Sequence, residues 1–216
     1  MPAFHDPSRV KAASEAAIRA AGGGVHETLP HIDLDELDLR STVSVAHRAL
    51  VLHVLVNISF GAPPNVGREW LSAHGLLDAA SHHELSILQG SDALTELQKS
   101  QLRWNIESLW AAAWSGGLID YLSPTQPLQD SLAGLLPNLR SADSPDDFLS
   151  QFRLRPLHEL HERLDLFYRA HWYARNCHLT GKDSSPFYLG VVLFRRQLLE
   201  WVTHASADWD HVDLCT

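Results

Sequence analysis

Helix starts and stops punctuate this chain at short intervals, and the apolar residues between them recur at helical rather than strand spacing. Asp6-Pro7 places a side-chain acceptor ahead of a residue that has no amide proton, where a helix needs none. An Ala-rich stretch follows over 7–21, and Gly22-Gly23-Gly24 stops it. Ser41 caps a long apolar helix reaching about residue 60, which Gly61-Ala62-Pro63-Pro64 breaks. A short helix over 66–74 carries Trp70 and Leu71 and stops at Gly75. Ser81-His82-His83-Glu84 has the capping-box spacing and opens a helix that ends near Gly90. From about 92 to 115, Leu102, Ile106, Leu109 and Ala113 fall at i, i+4, i+7 and i+11, one face of a single helix.

The second half repeats the pattern. Pro124 and Pro127 bracket a loop, and 128–136 reads as a short helix. Ser144-Pro145-Asp146-Asp147 is another start, with acids where the helix dipole favours them. Pro156 opens the most regular helix, with Leu157, Leu160, Leu164, Phe167 and His171 on one face. A loop over 181–186 leads to a last long helix over 187–204, and Asp208-Trp209-Asp210 sits in a tight terminal segment. No stretch alternates with a period of two, and no internal repeat is visible. The expectation is an all-α fold: a single compact domain of about eight to nine helices. Residues 1–24 form an N-terminal helix and Gly-rich turn, 25–40 an acidic connection, and 41–216 the helical core.

Composition narrows the function classes. Of 216 residues 45% are hydrophobic and 20% charged, which excludes a disordered chain. The two cysteines, Cys177 and Cys215, exclude a disulfide scaffold. The apolar run over 49–60 is shorter than the ~20 residues of a membrane helix, so a core helix and no membrane contact are expected. Met1-Pro2-Ala3-Phe4-His5-Asp6 lacks a signal-peptide pattern, and with so few thiols a cytoplasmic location is expected. Lys and Arg number 17 against 26 Asp and Glu, a net charge of −9, which disfavours nucleic acid as a partner. The 14 His are enough to reverse that sign on acidification, so mobility and solubility should change steeply between about pH 7 and pH 5. No cofactor is expected: Gly181-Lys182 lacks the upstream Gly and the following Ser or Thr of a phosphate loop, and no Gly-x-Ser-x-Gly elbow exists.

Three constellations carry candidate chemistry. His158 and His161, three apart, with Asp165 one turn further on, have a spacing that suits a metal; the plainer reading is the solvated face of an amphipathic helix, with no metal bound. His53 and Asn57 read as a buried hydrogen-bonded pair. Charge is unevenly spread: residues 140–200 hold nine bases against eight acids, whereas 1–139 hold eight against fifteen. Arg155, Arg169, Arg175, Arg195 and Arg196 lie on or beside the last two long helices. They form either an anion-binding cleft or a set of internal ion pairs with Glu107, Glu159, Asp165 and Glu200. Trp104, Trp110, Trp114, Trp172, Trp201 and Trp209 recur in the same helices, as core or as a ligand or protein-binding patch with Trp104 and Trp172 in its wall.

Several stretches together are familiar. Leu29-Pro30, Leu39-Arg40-Ser41, Ala46-His47-Arg48-Ala49-Leu50, Trp104-Asn105-Ile106-Glu107-Ser108-Leu109-Trp110 with Trp114, and Leu154-Arg155-Pro156 resemble a bacterial family known only as domain of unknown function 4272. So do Asp165-Leu166-Phe167-Tyr168-Arg169-Ala170-His171-Trp172, Val191-Val192-Leu193-Phe194-Arg195-Arg196, and the ending from Trp201 through Asp208-Trp209-Asp210. The resemblance covers nearly the whole chain from about Arg9, and implies a soluble, mostly helical bacterial protein and no particular activity. The family tends to carry Glu where this chain has Phe194, and to end in Asp-Thr where it has Cys215-Thr216. Those positions are therefore poor acid/base groups here.

Two functions follow as expectations. In the first, the chain is a binding module whose Arg- and Trp-rich C-terminal half holds a protein partner or a small anionic ligand. In the second it is an enzyme on a small anionic substrate, with Glu107, Asp165 or His171 as acid/base groups and the arginines as a clamp. The binding reading is preferred because no nucleophile–base pairing stands out. The enzyme reading requires the arginines to converge on one pocket rather than be taken up by buried acids.

Overall fold

The computed structural model describes residues 6–90, 94–126, 132–182 and 185–216. Asp6 caps α1 (Pro7–Ala20), its side chain accepting from the Ser8 amide. Ser41 caps α2 (Thr42–Ser59) in the same way through the Ser44 amide. Proline and the two capping boxes then set the starts of α3 (Pro64–Ala73), α4 (His82–Gln89) and α5 (Glu96–Arg103), which lead into α6 (Asn105–Ser115). The chain continues through α7 (Asp146–Gln151), α8 (Leu157–Leu179) and α9 (Leu189–Thr203). Among the described residues no β-strand forms; a single parallel bridge joins Asp38 to His204. The fold is all-α.

α2 lies at the centre of one side of the core and packs on α3, α5 and α6. α9 packs on both α6 and α8, and α8 carries α1 on its other side. The layers thus run from α1 through α8, α9 and α6 to α2. α2 is apolar and long enough to cross a membrane by composition alone, yet 67% of it is buried inside the fold. Its Val45, Leu50, Leu52, Val54 and Leu55 are all fully enclosed, so its hydrophobicity is that of a core helix. The 38–40 segment is tied to the end of α9 by Asp38 N–H to Thr203 O (2.8 Å) and Arg40 N–H to Val202 O (3.0 Å).

Three expectations change. The helix expected over 92–115 is two: Thr95 and Gln98 close a capping box that starts α5, and the path tightens at Trp104. There the hydrogen bonds shorten to i→i−3, Trp104 to Gln101 (3.2 Å) and Glu107 to Trp104 (3.0 Å), as the indole stacks on Phe194 of α9. The expected start at Asp92 lies outside the described residues. Pro63-Pro64 does end α2, but Pro64 is also the first residue of α3, a position that tolerates its missing donor. Of the helix expected over 128–136, one 3-10 turn is present at Leu132–Gly134, and 128–131 lie outside the described residues.

Candidate functional site

Four arginines of the C-terminal half meet carboxylates of α6, α8 and α9. Asp165 and Arg169 are one turn apart on α8, close enough for a two-pronged pair: Nε to Oδ2 at 2.8 Å and Nη2 to Oδ1 at 2.7 Å. Arg169 also donates to the Pro30 carbonyl and faces Glu15 of α1 at 3.8 Å. Arg196 and Glu200 repeat the spacing on α9 at 2.9 Å. Arg155 reaches Glu159 at 2.8 Å and gives its other donors to the Trp114 and Ile119 carbonyls. Arg195 crosses to Glu107 on α6 at 2.6 Å and also donates to the Ser123 carbonyl. The four acids of the ion-pair reading, Glu107, Glu159, Asp165 and Glu200, are thus each engaged. A fifth pair, Arg48 with Glu84 at 2.5 Å, links α2 to α4, its guanidinium lying over the Trp209 and Trp201 rings.

This bears on each acid/base candidate. Glu107 and Asp165 are buried against arginine, which occupies their oxygens and does not give up a proton. His171 accepts from Arg196 Nη1 at 2.9 Å, so its Nδ1 carries no proton. Burial and the nearby Arg196 and Arg175 push its pKa down to about 4. Arg175 points outward and is exposed. His161 is fully buried with Nε2 against the Ile32 carbonyl (2.8 Å), whereas His158 is exposed. The two histidines therefore share no solvated face, and among the described residues no group of His, Cys, Asp or Glu could hold a metal ion. His53 and Asn57 do pair, Asn57 donating to the His53 carbonyl at 2.9 Å, and His53 Nε2 meets the Pro137 carbonyl.

The tryptophans divide. Trp110, Trp114, Trp201 and Trp209 are buried, Trp172 is half-buried with its ring edge-on to His26, and Trp104 is 41% exposed. The candidates Trp104 and Trp172 do not join the arginines in one pocket. Trp104 lies parallel to Phe194, ring centres 5.8 Å apart.

A cleft of about 660 Å³ opens instead between α1 and the first half of α8. Asp6 and Arg9 line it from α1 and its cap, Asp120 from the turn after α6, and Glu159, Glu162 and Arg163 from α8. Arg155 and the Trp114 indole form part of its wall, with Arg155 and Arg163 4.8 and 5.1 Å from that ring. Of the five arginines grouped by sequence position, then, Arg155 alone lines the cleft. Arg163 was not singled out from the sequence. Glu159 stands four residues after Arg155 and four before Arg163, and it pairs with Arg155. Arg163 keeps one hydrogen bond, Nη1 to the Leu122 carbonyl at 2.8 Å, and among the described residues it forms no ion pair. Its pKa is pushed down, above all by loss of water, with Arg155 adding to the effect. A smaller cleft of about 220 Å³ is lined by Arg40, Arg48, Trp201 and Trp209. There Arg40 gives its donors to the Trp201, His204 and Ala207 carbonyls.

The model of a family described as domain of unknown function (DUF4272) matches residues 10–212. The chain belongs to the DUF4272 family. No curated protein and no solved structure matches it. In this DUF4272 chain the residues at the two departures have structural roles that need no carboxylate. Phe194 is the stacking partner of Trp104, and residue 215 is held through its backbone carbonyl, which accepts from Arg196 Nη2 at 3.2 Å.

Proposed function

We propose that this chain is a binding module that holds a small ligand in the cleft between α1 and α8 without transforming it. One observation carries the reading: Arg169, Arg195 and Arg196 are engaged by internal carboxylates, whereas Arg163 lines the cleft with no paired carboxylate among the described residues. The expected Arg- and Trp-rich site is thereby moved to Arg163, Arg155 and Trp114. The cleft's volume of about 660 Å³ falls within the ~300–1,000 Å³ range of small-molecule pockets, which favours a small ligand over a protein partner.

The enzyme reading needs an acid, base or nucleophile free to act beside the bound molecule. Glu107 and Asp165 are held by arginine, and the Nδ1 of His171 is occupied by Arg196. The test is affinity selection: the protein is incubated with a small-molecule cell extract, the bound fraction released and identified by mass spectrometry. The proposal expects a compound enriched by the folded protein and recovered unchanged on prolonged incubation. A compound that is consumed, with a product appearing, supports the enzyme reading instead.

A further inference from the structure

We infer that the ligand of this cleft is a small zwitterion of the amino-acid or short-peptide class, its carboxylate held by Arg163 and its ammonium group by Asp6 and Asp120 of the same cleft. The inference rests on the proposed binding role and adds the class of ligand. It starts from which donors Arg163 has left. Nη1 is used by the Leu122 carbonyl, while Nε and Nη2 have no hydrogen-bond partner among the described residues. Nε and Nη2 share one edge of the guanidinium. They are the same two atoms with which Arg169 grips the Asp165 carboxylate, at 2.8 and 2.7 Å. The molecule thus contains both the occupied and the open form of one carboxylate-binding edge, and the open one belongs to a residue lining the cleft. A planar carboxylate matches that edge bidentately.

Charge around the edge excludes a strongly anionic ligand. Glu159 already neutralises Arg155 and Glu162 is itself engaged, which leaves Arg9 and Arg163 with Asp6 and Asp120 in the cleft lining. Those two guanidinium groups and two carboxylates already balance, so a dianionic phosphate would bring two uncompensated negative charges. One carboxylate on Arg163 leaves the acids to be balanced by a cation on the same molecule. The cleft's volume exceeds that of one amino acid, so free amino acids and dipeptides are the two sources to separate.

Calorimetric titration of the intact protein with free amino acids and with dipeptides tests the inference, each beside its methyl ester and its N-acetyl form. At least one zwitterion should bind, and blocking either end should weaken it by about tenfold or more, the loss expected for one charge-assisted contact. Which series binds identifies the source. Arg163→Gln should weaken binding similarly while leaving the unfolding midpoint near that of the parent, because it strands no buried carboxylate. The ester comparison needs no variant and decides the matter even if Arg163→Gln is poorly folded. An ester that binds as tightly as its acid, or a folded Arg163→Gln that binds as the parent does, overturns the inference. If no zwitterion binds while the extract still yields a bound compound, the ligand class is wrong and the binding role stands. If neither binds, both fall.

Discussion

Arg195 is 1% exposed and Glu107 4%, so neither group retains the hydration it has in the unfolded chain. Their 2.6 Å contact offsets that loss only while both are present. Glu107→Ala should therefore destabilise the fold by about 3–5 kcal/mol in denaturant unfolding, because it strands a buried guanidinium. Replacing both partners, Glu107→Leu with Arg195→Met, should recover most of that. A double variant as unstable as the single one would show that the pair itself, rather than the stranded charge, sets the cost. The sequence makes some of these pairs visible and not others. Asp165 with Arg169 and Arg196 with Glu200 are one turn apart and follow from helix geometry alone, whereas Arg155 reaches Glu159 from the segment ahead of α8. Glu107 belongs with the same arginines by composition, but its pairing with Arg195 depends on how α6 and α9 pack. Arg163 was illegible for a different reason: its spacing to Glu159 is the same as that of Arg155, and spacing cannot say which arginine the carboxylate takes.

At the scale of elements, ends are set locally and contacts are not. Ser81 with Glu84, and Asp6 with Pro7, are caps written in adjacent residues, and α4 and α1 begin where those residues predict. The division between α5 and α6 was not legible, because the tightened turn at Trp104 accompanies stacking on Phe194 and close approach to Gly190, both far along the chain. The end of α6 shows what such an approach requires. A Cβ at Gly116 would lie 2.3 Å from the Phe152 ring, in the core beside the start of α8. Gly116→Ala should cost about 1–3 kcal/mol through overpacking, read as a lowered unfolding midpoint. An unchanged midpoint would mean that Phe152 moves aside freely. The tail is tied down in a similar way: Asp210 accepts from the Ser81 hydroxyl (2.6 Å) and the His83 amide (3.0 Å) at the start of α4. Asp210→Ala should cost about 1 kcal/mol, the worth of a helix cap, and should speed amide exchange at His83. Exchange there as slow as in the parent would show that the tail does not protect α4.

For the molecule as a whole, the net charge of −9 and the 14 His give a pH response that burial modifies. Loss of water lowers the pKa of His47 and His53, and that of His171 falls to about 4. The unfolded chain therefore takes up protons below its ordinary His pKa of about 6.5 that the folded chain refuses. Stability is fully present above that pH and falls as the pH drops toward 4. His171 alone accounts for a loss on the order of 3 kcal/mol by pH 4. Melting temperature measured from pH 7 to pH 4 should decline, and His171→Gln should flatten the decline. A parent protein whose melting temperature is level over that range would contradict the burial of these histidines. Electrophoretic mobility should still change between pH 7 and pH 5, less steeply than 14 free His would give.

This fold engages the buried Arg48, Arg169, Arg195 and Arg196 internally and leaves Arg163 open at one cleft. Hydrogen exchange of the arginine Nε–H groups, resolved by nitrogen-15 NMR, reads that division in a single spectrum. Nε of Arg169, Arg195 and Arg196 is bonded to Asp165, Glu107 and Glu200, so these three signals should persist. The Arg163 signal should exchange rapidly with water and slow when a cleft ligand is added. Exchange at Arg169 or Arg195 as fast as at the exposed Arg175, or an Arg163 signal already as protected as theirs, would contradict the account.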